Sequence, residues 1–220
     1  MIFVIVPAFN EEESIGRVVA GLFEHGFEHI IVVDDGSVDK TKQCAEQAGA
    51  VVLRHEINRG QGASLQTGNE YALKNGATVA VHFDADGQFN PSDIKPALEF
   101  LQARKADVLL GSRFLDNRSK MPWTKKFFVL PIGRLVNRFL TGLTLSDAHN
   151  GFRILTKTAL EKINISQDRM AHNSDIVKQI KEHHLSFVEY PVEVRYFEYG
   201  QGVGGGFKIL QDIFTAKFLK

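Results

Sequence analysis

Cysteine is nearly absent from this 220-residue chain, which has only Cys44. A single thiol cannot close an internal disulfide, so a disulfide scaffold is excluded and a reducing cytoplasm is the expected compartment. Cys44 falls in a helical pattern with no neighbouring base, and it is expected as a small core residue, not a nucleophile. Net charge is also absent, with 26 basic and 26 acidic residues. General nucleic-acid binding needs a positive field and is not expected. No uncharged run approaches the roughly 20 residues that cross a bilayer. The N-terminal "MIFVIVPAFN" has an apolar stretch of only five residues before Pro7 and no basic flank. It reads as a buried first strand rather than a secretory signal. Any membrane contact is therefore expected to be peripheral or through a partner.

What the chain does have is apolar material, 44% of its residues, enough for a full core. Short apolar runs at 2–6, 29–35, 51–54, 78–86 and 107–113 alternate with helical patterns at about 12–26, 39–49, 63–75 and 91–105. Asn10 and Glu13 have the spacing of a helix-capping box, Gly49 and Gly76 are helix stops, and Pro91 sits near a helix start. Continuous apolar strands separated by amphipathic helices predict a mainly parallel sheet covered on both faces. Ligands of such sheets bind beyond the carboxyl ends of the strands. Those ends carry "PAFNEEE", "DDGSVDKT" and "DADGQ", so acidic and small polar residues recur at one edge. After residue 113 the alternation stops; 186–199 reads as one extended strand, and glycines cluster at 200–206 before an amphipathic helix.

Two carboxylates, Asp84 and Asp86, close the fourth strand. They read as solvated turn residues, as an acid/base pair, or as ligands of a divalent cation. Hard oxygen donors suit Mg²⁺ or Mn²⁺ rather than zinc, and an incompletely caged Mg²⁺ takes its remaining ligands from water and phosphates. Gln88 adds a neutral oxygen two residues on, and His82 reads as a packed histidine. The metal reading requires a phosphate-bearing ligand. Asp34 and Asp35 can accept from a ribose hydroxyl or a base, and Gly60 and Gly62 in "NRGQGAS" let the backbone approach a ligand closely. The loop is not a P-loop, since the G-K-[ST] ending is missing.

The segments "VPAFNEEESI", "VDDGSVDKT", "NRGQGAS", "DADGQFNP", "GSRF" and "DAHNGFRILTK" occur in this order. In that order they closely resemble glycosyltransferase family 2. Within the family they resemble the branch of dolichyl-phosphate mannosyltransferase and the bacterial polyprenyl-phosphate glycosyltransferases. The resemblance covers roughly residues 1–200. It implies a Rossmann-like α/β domain of the GT-A type, a nucleotide-sugar donor, and an inverting transfer assisted by Mg²⁺ or Mn²⁺. By matching position, Pro7, Phe9, Glu11, Asp35, Gly60, Gln61 and Asp84 line the donor site, and Asp84, Asp86 and Gln88 hold the metal on the diphosphate. Asp86, Asp147, Arg113 and Arg153 are the implied catalytic set, with Arg113, Arg153 and Arg195 at an acceptor phosphate. Gln61 stands where the branch usually has a lysine, and "RYFEYGQGVGGG" departs from its usual ending. One domain is expected, with residues 1–113 as the donor half and 114–220 as an acceptor-side extension.

A sugar-hydroxyl acceptor needs a base such as Asp147, whereas a lipid phosphate is already ionised and needs arginines to dock it. The lipid phosphate is the expected acceptor; a glycan hydroxyl or sugar nucleotidyl transfer are the alternatives. Residues 118–143 mix Arg118, Lys125, Lys126, Arg134 and Arg138 with Trp123, Phe127 and Phe128. They read either as a basic-faced core element or as helices in an anionic membrane surface, and the family resemblance favours the second. A peripheral position at the inner face of the cytoplasmic membrane, or docking to a separate membrane subunit, follows as an expectation. His149 and His172 read as surface or capping histidines, and Asp175 as a weak acidic candidate.

Overall fold

The computed structural model describes residues 1–116, 143, 145–147, 150–167 and 171–195. Of the expected membrane-facing stretch at 118–143 all but residue 143 lies outside the described residues, as do the C-terminal helix and His149. Chain order begins β1 (Ile2–Ala8), α1 (Ile15–Glu24), β2 (His29–Asp34), α2 (Thr41–Gln47), β3 (Val51–Arg54), α3 (Gln61–Lys74) and β4 (Val79–His82). It continues with α4 (Ile94–Arg104), β5 (Val108–Ser112), β6 (Arg153–Thr156), a short α5 (Lys157–Lys162), α6 (His172–Glu182) and β7 (Phe187–Pro191). The strands form one seven-stranded sheet in the order β3-β2-β1-β4-β6-β5-β7. Among them only β6 runs antiparallel to its neighbours, pairing with β4 and β5.

Alternation along the buried strands feeds two cores. Val4, Val6, Val32, Val81 and Ile154 face α1, α2 and α4, while Ile5, Ile31, Val33, Ala80 and Leu155 face α3, α5 and α6. Helix α3 lies close on the sheet because Gly68 has no side chain; a Cβ there would come within 2.3 Å of Ile5 Cγ2. Pro7 is tolerated inside β1 for a geometric reason. Asp35 N–H donates to the Ala8 carbonyl on the β2 side, and Phe83 N–H to the Ile5 carbonyl on the β4 side. Pro7 shares the orientation of Ile5, so its missing N–H points to where β4 has already ended.

Several expectations are corrected. The fourth strand ends at His82, not at residue 86. "DADG" turns out of the sheet, with Gly87 at φ +75°. The Asn10–Glu13 capping box does not form: the residue capping α1 is Ser14, with no side-chain cap. Asn10 adopts φ +56° and accepts from Val38 N–H instead. Among the described residues of the predicted strand at 186–199, which end at 195, the strand runs over Phe187–Pro191 and is followed by a bridge between Val194 and Phe89. His172 is not a surface histidine but is buried in the first turn of α6.

Candidate functional site

The carboxyl ends of β1, β2 and β4 meet above the N-terminus of α3. In the turn after β4 the alternation of the strand persists. Phe83, Ala85 and Phe89 are buried on one side, and Asp84 and Asp86, both partly buried, occupy the other positions. Phe83, Phe89 and Phe152 form a trio of tilted and edge-on rings with centroids 5.7, 6.4 and 5.8 Å apart. Beneath an acidic turn such a trio is a rigid apolar floor.

Asp84 sits in a fitted cradle. Its Oδ1 accepts from Gln61 Nε2 at 2.9 Å. A Cβ on residue 151 would lie 2.2 Å from Asp84 Oδ2, so only Gly151 leaves room for the carboxylate. Burial and then the charge of Asp86 raise the Asp84 pKa to about 6, against the opposing pull of Arg153, Gln61 and Arg113. Burial also raises Asp86, offset by the Gln88 N–H that donates to its Oδ1 at 2.9 Å. Glu11 is raised chiefly by burial, with Asp86 adding to the effect, while Ser14 Oγ donates to it at 2.6 Å. The three acids therefore share one field. Their hard oxygens and mutual cost suit a divalent cation, and no group of three His, Cys, Asp or Glu among the described residues offers a closed cage. An ion there would need ligands from elsewhere, as a diphosphate supplies.

Phe9, at the end of β1, is 44% exposed, beside the buried Ala8 and Pro7. Asp35 lies at the β2 tip, but its oxygens serve the neighbouring loop: Oδ1 accepts from Arg59 N–H at 2.9 Å and Oδ2 from Gly60 N–H at 2.6 Å. Gly60 needs φ +98°, which glycine alone adopts readily, and Gln61 opens α3 beside it. Asp34 is likewise committed, to Ser37 N–H and to Arg54.

The second charged group lies past β5. Arg113 grips the buried Asp147 with Nε at 2.6 Å from Oδ2 and Nη2 at 2.8 Å from Oδ1, and its backbone N–H adds a contact at 3.2 Å. Ser146 beside it is held by Glu189 of β7 at 2.6 and 2.7 Å and by Ser112 at 2.6 Å. Arg153, on β6 opposite His82, is only 2% exposed. Its Nη2 donates to Asn173 Oδ1 while Nη1 has no hydrogen-bond partner. Burial lowers its pKa to about 10 despite the stabilising charges of Asp84 and Asp147. His82, hydrogen-bonded to Asn69 at 2.9 Å, is pushed well below the ordinary histidine range by burial and then by Arg153 and His172. It is packed as expected, and burial keeps it neutral. Arg195 is tied to the acidic turn through its N–H, which donates to the Gln88 carbonyl at 2.9 Å, and its side chain is exposed. Asp175, in the first turn of α6, accepts from Ser166 N–H and Oγ.

Sequence reasoning missed His55, Thr67 and Asn173. The first two complete the support of Asp35, with His55 Nδ1 at 2.7 Å from Asp35 Oδ1 and Nε2 at 2.9 Å from Thr67 Oγ1. Position could have flagged His55, which directly follows β3 at the binding edge.

An uncharacterized protein of Methanocaldococcus jannaschii is 37% identical over 98% of this chain and 92% of its own length. The UDP-N-acetylglucosamine–dolichyl-phosphate N-acetylglucosaminyltransferase of Methanococcus voltae is 32% identical over 100% of this chain and 97% of that protein. The polyprenol monophosphomannose synthase of Mycolicibacterium smegmatis is 30% identical over 96% and 83%. In fold, the chain is similar to glucosyl-3-phosphoglycerate synthase of Mycobacterium tuberculosis crystallised with Mn²⁺, UDP and glucosyl-3-phosphoglycerate. The TM-score is 0.72 at 16% identity, covering 97% of this chain and 77% of that one. The sheet is thus a GT-A glycosyltransferase sheet. The profile of glycosyl transferase family 2 matches residues 3–164, and the chain belongs to that family.

Proposed function

We propose that this glycosyltransferase moves a sugar from a nucleotide sugar to the phosphate of a polyprenyl or dolichyl phosphate, with inversion and with Mg²⁺ or Mn²⁺. Asp84, Asp86 and the side chain of Gln88 would hold the ion. When bound, the ion neutralises charge on the departing diphosphate. Pro7, Phe9 and Glu11 line the nucleotide pocket, and Gln61 orients Asp84.

The observation that carries the choice of acceptor is the three-bond grip of Arg113 on Asp147. A hydroxyl acceptor needs a carboxylate free to take its proton. Asp147 is committed to a guanidinium, and this disfavours it as a base. A phosphate acceptor attacks as an anion and needs only cationic docking. Arg113, 24% exposed, is placed to share its fork between Asp147 and a phosphate. Arg195, bound to the acidic turn by its backbone, adds an exposed guanidinium that lies 3.9 Å from Glu193, while buried Arg153 contributes its field rather than contact. The lipid-phosphate acceptors named for the Methanococcus voltae and Mycolicibacterium smegmatis relatives support the same reading. No helix among the described residues is long and apolar enough to cross a membrane. Contact with the inner face of the cytoplasmic membrane or with a membrane subunit is part of the proposal.

The test is transfer from a panel of nucleotide sugars, with and without undecaprenyl phosphate, in wild type, Arg113→Ala and Asp147→Asn. Product that requires the lipid phosphate, is lost in Arg113→Ala and persists in Asp147→Asn supports the proposal. Transfer that survives Arg113→Ala and dies in Asp147→Asn points to a hydroxyl acceptor.

A further inference from the structure

Asp35 stands where a nucleotide contact is expected, yet its carboxylate accepts three hydrogen bonds from the protein: His55 Nδ1, Arg59 N–H and Gly60 N–H. A carboxylate offers about four acceptor positions, so one, on Oδ2, is left for a ligand. The arrangement fixes the tautomer of His55. A carboxylate only accepts, so Nδ1 carries a proton toward Asp35, and Nε2 meets Thr67 Oγ1 at 2.9 Å. Thr67 lies within α3, His55 directly after β3 and Asp35 directly after β2. One continuous string therefore runs from the body of α3 through His55 and Asp35 to the amides of residues 59 and 60. The next residue is Gln61, whose amide holds Asp84.

The loop needs such a tie. Ile57 is 71% exposed and Asn58 and Arg59 are exposed too, so apolar packing does not hold the tip. Gly36 of the neighbouring loop approaches it closely, since a Cβ there would come 2.9 Å from Asn58 N. That contact limits how near the tip can lie but supplies no attraction. The attraction comes from two successive amides on one carboxylate, and the imidazole decides where that carboxylate points.

Resting on the nucleotide-sugar reading above, we infer that His55 is a positioning residue of the donor site. Through Asp35 it fixes the 59–60 backbone and, with it, Gln61 on the Asp84 carboxylate. It touches no reacting atom. Its removal is expected to raise the donor KM and leave kcat at saturating donor within about twofold. The scale is that of one charge-assisted hydrogen bond, about tenfold in affinity.

The experiment compares wild type, His55→Ala and Thr67→Val as full chains with two readouts. Amide hydrogen exchange follows Arg59 and Gly60, with Ile5 and Ile31 as references. Calorimetry follows Mn²⁺–UDP and Mn²⁺–GDP binding, with and without added imidazole. Expected in His55→Ala are exchange at least about tenfold faster at 59 and 60 alone and nucleotide binding weakened about tenfold. Imidazole should restore both, and Thr67→Val should shift both in the same direction by less. If His55→Ala fails to fold, Thr67→Val decides by its own two readouts. Unchanged exchange, or faster exchange with unchanged nucleotide binding, overturns the inference while the proposed function stands. Wild type that binds neither nucleotide overturns both.

Discussion

At the tip of β4, Asp84 and Asp86 share a field with Glu11, and among the described residues no cation hydrogen-bonds to either aspartate. At the tip of β5, Asp147 is also a buried carboxylate, but Arg113 closes on it with three hydrogen bonds. Both groups sit on the same edge of the same sheet. The difference lies in who supplies the counter-charge. The second pair is complete within the protein, so its geometry is set before any ligand arrives. The first has no cation bonded to it among the described residues, only the opposing fields of Arg153 and Arg113, and stays costly to ionise, so a cation from outside would stabilise it. A fold can carry the second arrangement for structure alone; the first costs stability, which is what a site awaiting the proposed cation would do.

The largest loss is expected at Asp86. Asp86→Ala is expected to lower transfer about a thousandfold, the scale of removing a charge-stabilising group from a transition state. It should also abolish metal-dependent nucleotide binding while the protein stays folded. Transfer assays with circular dichroism of the same preparation check this. At the other tip, Arg113→Ala is expected to lower kcat/KM for undecaprenyl phosphate about a hundredfold, with Asp147→Asn within about tenfold of wild type. Asp147→Ala should instead show in stability, losing about 1–3 kcal/mol because the half-buried guanidinium loses its partner. Denaturant titration measures it.

Gly151→Ala sharpens the contrast further. A methyl 2.2 Å from Asp84 Oδ2 must displace the carboxylate, so Mn²⁺–nucleotide affinity should fall about tenfold with little effect on the Arg113–Asp147 pair.

The smallest expected effect is on pH dependence. The Asp84 pKa is raised from 3.8 to about 6, so the folded state holds a proton that the unfolded chain has lost. The contribution to stability is fully present below about pH 4 and is lost as pH rises through about 6. Metal-free protein should therefore lose melting temperature across that window, and Asp84→Asn should flatten the loss. Affinity for Mn²⁺ and nucleotide should move oppositely, rising as Asp84 deprotonates. Thermal melts across pH, with and without Mn²⁺ and UDP, give both signs.

Legibility in the sequence followed the locality of the signal. The first five strands and four helices are written in contiguous apolar runs and amphipathic stretches, and their order along the edge exposed the acidic tips. Strand β6 was not legible, because "RILT" finds its place between β4 and β5 through pairing with residues some seventy and forty-five positions earlier. The Asn10–Glu13 spacing matched a capping box, but Asn10 is drawn away to Ser37 and Val38 on the next loop. Asp84 and Asp86 were found by type and spacing alone, whereas the commitment of Asp147 to Arg113 and of Asp35 to His55 and the 59–60 amides needed three-dimensional partners. Gly151 was marked only by its match to the "GFR" segment of the family resemblance; its physical reason, the space that one carboxylate occupies, is visible only in the structure.

The most direct measurement is calorimetric titration of Mn²⁺ with UDP or GDP into folded wild type and folded Asp86→Ala. One of these nucleotides is expected to bind wild type only when Mn²⁺ is present, and Asp86→Ala to bind neither. Metal-independent binding in wild type, or equal binding by the variant, would contradict that expectation.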